Sequence, residues 1–147
     1  MELRVGSCLA GYKITKCLYN RDSKGSVYST YENQSAEEKD NLAACRILAD
    51  ELGWTCVLLP PVPNKKTPDM MRADDLSLWE IKTNHSGNAK TISRALQDAK
   101  TQSCNAIVHV VAQVCDMKAI ERAAALRKRF SALENIILIR ANQLIFV

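Results

Sequence analysis

The sequence predicts an α/β domain, a mixed β-sheet flanked by helices. Three observations carry that reading. From residue 35 onward, apolar residues at helical spacing alternate with short β-rich apolar runs. Capping and stop residues punctuate the pattern where elements should begin and end. The composition, 47% hydrophobic and 24% charged over 147 residues with a net charge of +4, is that of a folded domain, which excludes a disordered chain. No apolar run approaches the ~20 residues needed to cross a bilayer, and no secretory signal is readable at the start. The length suits a single domain spanning 1–147.

Residues 1–34 read as an N-terminal extension with little pattern. Within it, Leu18-Tyr19 and Val27-Tyr28 flank the turn-prone stretch 20–25, which predicts a hairpin. Ser35 followed by Glu38 fits a capping box. Asn41, Ala44, Cys45, Leu48 and Leu52 then recur at helical spacing up to Gly53, giving a helix over 36–52. Residues 54–59 read as a buried strand closed by Pro60-Pro61. Residues 69–73 and 77–82 read as two strands joined by a turn at Asp74-Asp75.

A second helix, about 89–101, buries Ile92, Ala95, Leu96 and Ala99 after the entry turn Ser86-Gly87-Asn88. Residues 106–111 form a strand, and Asp116 opens a third helix running to about Phe130. Residues 136–139 and 144–147 are strands turning at Ala141-Asn142. Six cysteines, at 8, 17, 45, 56, 104 and 115, contain no C-x-x-C pair and no histidine at zinc-ligand spacing. Reduced thiols, several of them in the core, are expected.

The chemistry centres on residues 67–82. A two-residue turn at Asp74-Asp75 makes cross-strand partners sum to 149, so Asp69 faces Glu80. Glu80 and Lys82 share a face and Ile81 points away. Two carboxylates directly across a strand pair repel by up to roughly 1 kcal/mol. A divalent cation held by Asp69, Glu80 and a backbone carbonyl would offset this, and hard oxygen donors suit Mg²⁺ or Mn²⁺. Lys82 could then help deprotonate a water or stabilise charge on a phosphoryl oxygen. The alternative on spacing alone is a solvent-facing hairpin in which Glu80 and Lys82 simply pair.

Pro68-Asp69, ten intervening residues and Glu80-Ile81-Lys82, between two helices, resemble the PD-(D/E)XK nuclease superfamily. Leu58-Leu59-Pro60, Lys66-Thr67-Pro68-Asp69, Leu78-Trp79-Glu80-Ile81-Lys82, Thr91-Ile92 and Ala99-Lys100-Thr101-Gln102-Ser103 are similar to the tRNA-nuclease type of C-terminal toxin domain in contact-dependent growth-inhibition proteins. The resemblance covers roughly half the chain. It implies an αβββαβ catalytic core over 35–112, followed by an extra helix and strands over 113–147. It also implies metal-dependent phosphodiester cleavage, a cognate immunity protein, export as the C-terminal part of a larger protein, and action in the cytoplasm of a target cell.

The superfamily usually adds a glutamate from the first helix. Glu38 is chosen as that catalytic acid, with Glu37 and Asp40 left open. Lys90, Arg94 and Gln97 form one stripe of the second helix, so Arg94 could hold phosphates, and the resemblance favours Thr91 and Gln102 for substrate binding. His85 could shuttle a proton near the leaving group. Lys118, Arg122 and Arg129 either track a nucleic-acid backbone or form a wet helix face. Trp54, Trp79 and His109 are read as core. The leading function is thus an RNA-cutting toxin acting on tRNA. The alternatives are a DNA endonuclease on the same core and a non-catalytic nucleic-acid-binding relative.

Overall fold

The computed structural model describes residues 3–21, 24–31 and 35–147. The chain divides into two compact units, Met1–Leu78 and Trp79–Val147. Each is a mixed β-sheet with helical cover, in agreement with the α/β class read from the sequence. Among the described residues, no helix is long and apolar enough to cross a membrane.

In the first unit, β1 (Cys8–Leu9) and β2 (Tyr12–Lys13) make a small hairpin that the sequence reading did not foresee. It turns on Ala10 and Gly11, both with positive φ. β3 (Lys16–Asn20) pairs antiparallel with β4 (Ser26–Ser29), the hairpin expected from the flanking apolar pairs. Asp22 and Ser23, in its expected turn, lie outside the described residues. β4 runs parallel to β5 (Thr55–Leu58), which pairs antiparallel with β6 (Met70–Arg72).

The crossover between β4 and β5 is α1 (Ala36–Leu52), with the bounds that the capping pattern implied. Ser35 Oγ accepts the Glu38 N–H at 3.1 Å, and Gly53 closes the helix in the left-handed region at φ 69°. Val57 packs with Ile14, Tyr28, Leu59, Met71 and Ala73 on one side of the sheet. Strand alternation therefore turns Cys56 and Leu58 to the other side, where α1 brings Cys45 against Cys56.

The turn after β6 differs from expectation. It is a four-residue loop, 73–76, rather than the two-residue turn at Asp74-Asp75. The Arg72 N–H donates to the Ser77 carbonyl, and the Leu76 N–H to the Arg72 carbonyl, each at 2.8 Å. Two adjacent aspartates are poor occupants of a turn needing positive φ twice. Asp75 is instead drawn outward, accepting the Ser77 N–H at 2.9 Å and hydroxyl at 2.6 Å. Leu76 takes the single left-handed position, φ 62°. Arg72 reaches Asp74 at 3.6 Å and Asp75 at 3.4 Å and lies over the Trp54 ring. Arg72 and Ser77, the residues that this hydrogen bond joins, still sum to 149.

In the second unit, β7 (Leu78–Asn84) pairs parallel with β8 (Asn105–Val110), and β8 pairs parallel with β9 (Asn135–Arg140). β10 (Gln143–Phe146) returns antiparallel through the expected two-residue turn, with Arg140 opposite Gln143 and Ala141 at φ 52°. α2 (Ala89–Ala99) starts at the Asn88 cap and α3 (Met117–Arg129) at the Asp116 cap. Ile92, Leu96 and Ala99 of α2 and Ile120 and Ala124 of α3 cover Ala106, Val108, Val110, Ile136 and Leu138. At the end of β8 and just past it, the Arg140 guanidinium donates to the carbonyls of Val110, Ala112 and Gln113.

All six cysteines are free. Cys45 and Cys56 are core thiols, whereas Cys8, Cys17 and Cys104 are exposed, so core placement holds for the apolar segments alone.

Candidate functional site

The inner end of α1 gathers charge. Glu38 is 0% exposed, and Glu37 and Asp40 are on the surface, so of the three acids weighed on this helix Glu38 is the one turned inward. Its backbone completes the Ser35 cap, but its carboxylate is drawn elsewhere. Ser29 Oγ–H donates to Glu38 Oε2 at 2.7 Å, and the Lys16 ammonium lies 3.6 Å from Oε1. Ser29 also accepts the Tyr31 N–H at 3.0 Å, and the Thr15 hydroxyl donates to the Tyr31 carbonyl at 2.5 Å. Two strands and the helix are thus tied at one carboxylate.

Asp69, 8% exposed, precedes β6 and accepts the Leu59 N–H on its backbone carbonyl at 2.9 Å, which extends the β5–β6 pairing by one step. Its charge is felt at two places in the same unit. Cys45, pushed up first by its hydrogen bond with Cys56 and then by burial, is raised further by Asp69. The Tyr31 phenol is pushed up to about 12, first by burial and then by Glu37, Asp69 and Glu38. Tyr31 is therefore a protonated O–H donor within reach of these acids' field. Sequence reasoning missed it, since a lone tyrosine in the poorly patterned first 34 residues carries no spacing signal.

In the second unit, Glu80 and Lys82 lie on β7 in register with Ala106 and Val108. Ala106 and Val108 belong to the helix-covered face, so Glu80 and Lys82 project to that side and Ile81 to the other. Glu80 is 3% exposed, and Lys82 Nζ stands 3.3 Å from its Oε2 with the lysine side chain 28% exposed. A buried carboxylate with a half-exposed ammonium beside it is costly unless well paired, which distinguishes this pair from an ordinary surface bridge.

The other candidates of this unit stay outside the interior. His85 is exposed in the loop after β7, Thr91 and Arg94 are exposed on α2, and Gln102 is half-buried just beyond it. On α3, Lys118, Glu121, Arg122 and Ala125 line one shallow surface depression, and Arg122, Ala125, Leu126 and Arg129 line a second. Trp54, Trp79 and His109 are buried, as read from the sequence. Among the described residues, no three His, Cys, Asp or Glu side chains are gathered as a ready-made metal cage.

No family model matches the chain, and no curated protein matches it. One chain of a solved CdiA-CT/CdiI toxin and immunity complex from Burkholderia pseudomallei is similar in structure. The TM-score is 0.52 at 18% identity, over 79% of this chain and 89% of that one. At that identity the likeness is one of fold. It agrees with the mixed α/β architecture read from the sequence.

Proposed function

We propose that this chain is a toxin domain that hydrolyses phosphodiester bonds in RNA, with tRNA as substrate, through a divalent metal ion. A cognate immunity protein neutralises it at home. The domain is exported as the C-terminal part of a larger protein and works in the cytoplasm of the target cell. The observation that carries this reading is the buried Glu80 carboxylate with the Lys82 ammonium 3.3 Å away. A fold shared with a chain of a toxin and immunity complex supports it.

Asp69 is assigned to this pair by the sequence spacing alone, in which 69 and 80 sum to 149. Two carboxylates supply hard oxygen donors and leave further coordination positions to a backbone carbonyl, water and phosphate oxygens, the habit of Mg²⁺. When bound, such an ion would polarise the phosphoryl group and lower the pKa of water. Asp69 and Glu80 would hold it, and Mn²⁺ fits the same donors. Lys82 orients the attacking water and stabilises charge developing on a phosphoryl oxygen. Glu38 assists from α1. Arg94, Thr91 and Gln102 take phosphates or sugar, and His85 returns a proton to the leaving oxygen.

The test incubates the purified chain with total tRNA and with plasmid DNA, in Mg²⁺, Mn²⁺ or EDTA. Metal-dependent loss of tRNA alone is expected, with Asp69→Ala, Glu80→Ala and Lys82→Ala each folded and inactive. Loss of plasmid instead would make the chain a DNA endonuclease. Binding without cutting under every metal would make it a non-catalytic relative.

A further inference from the structure

Glu38 and Asn41 lie one turn apart on the buried face of α1. Each carries a buried atom without a hydrogen bond among the described residues: the acceptor Glu38 Oε1 and the donor Asn41 Nδ2. Asn41 as a whole is 3% exposed. The ammonium of Lys16, at 3.6 Å from Oε1, is an ion-pair neighbour and not a hydrogen-bonding one. Side chains three apart on a helix are neighbours. A buried polar group left unpaired costs about 1–3 kcal/mol, and folded proteins seldom tolerate it.

The two atoms want opposite things. An anion would be repelled by Glu38, and a cation would leave the Asn41 N–H unpaired. A single group that both donates and accepts satisfies the two together. The smallest such group is water, which when buried makes about three hydrogen bonds.

We infer that Glu38 Oε1 and Asn41 Nδ2 hold one water molecule between them on the inner face of α1, with Lys16 as its third partner. Asn41 is through this water a positioning residue for Glu38. The Ser29 hydroxyl fixes one oxygen of the carboxylate and the water fixes the other. The role in catalysis rests on the proposed function, because Glu38 shares its surroundings with Asp69, whose charge reaches Tyr31 and Cys45.

The experiment compares the full chain with Asn41→Leu, Asn41→Ser, Glu38→Gln and the Glu38→Gln/Asn41→Leu double variant, by melting temperature and by tRNA cleavage. If one water serves both groups, Asn41→Leu melts several degrees lower and the double variant melts no lower than the worse single one. Asn41→Leu also loses about tenfold in kcat at unchanged KM, and Asn41→Ser, which keeps a donor and leaves room for water, regains most of it. An Asn41→Leu variant that melts higher, with effects additive to Glu38→Gln, would overturn the water. An unchanged kcat would overturn the positioning role. A wild-type chain that cuts no nucleic acid sinks the proposed function instead, and the melting comparison still decides the water.

Discussion

The two units bury their polar groups in different ways. Under α2 and α3 the sheet face is aliphatic almost throughout, and β7 adds one ion pair, Glu80 with Lys82, to it. The inner face of α1 is mixed. Glu38, Asn41 and Cys45 alternate with Ala44, Leu48 and Ala49, and each polar group is tied to a strand or left with an unmet hydrogen bond. An aliphatic face holds a fold together whatever its exact composition. A mixed face holds only when every polar partner is in place. Stability should therefore reside chiefly in the second unit, and sensitivity to single polar atoms in the first.

The largest test of that contrast is Leu138→Ala. Leu138 is fully buried in the second unit, and its truncation should cost about 2–5 kcal/mol in urea unfolding. A loss below that range would mean that the aliphatic face relaxes around a gap. Next comes Ser29→Ala, which removes the hydroxyl that donates to Glu38 and accepts the Tyr31 N–H. About 1–3 kcal/mol should be lost, a large effect for one oxygen atom. A neutral result would show that Glu38 finds another donor.

The smallest effect is spectroscopic. Tyr31 is neutral in the fold and titrates near 12, against an ordinary value of 10.0. Its folded value is raised, so its contribution to stability is whole below pH 10 and is lost as the pH rises toward 12. Alkaline absorbance titration should show one late phenol that Tyr31→Phe removes. If the late step survives in that variant, the field at Tyr31 is not the one described.

Much of this architecture was legible in the sequence because its signals are local. The Ser35 cap and Gly53 stop bounded α1, Ala141-Asn142 placed the β9–β10 turn, and the sum of 149 survived a change of loop length. The β1–β2 hairpin was not legible, because two-residue strands leave no alternation to read. Nor could a helical wheel choose between Glu37 and Glu38. That choice is made by Ser29 and Lys16, which come from strands earlier in the chain. The spacing did put Asn41 on the inner stripe of α1. Its unmet N–H became visible only once neighbours from distant parts of the sequence were in place.

The Arg140 clasp has a consequence for how the chain resists attack. The segment after β8 displays Val114 at 85% exposure, the kind of protruding tip where proteolytic nicking concentrates. Two of the carbonyls of that tip, those of Ala112 and Gln113, are spoken for by one planar guanidinium on β9. Unravelling the tip to thread it through a protease cleft means surrendering both bonds together. A lysine in the same place, with a single point charge and no fork, would let them go one at a time.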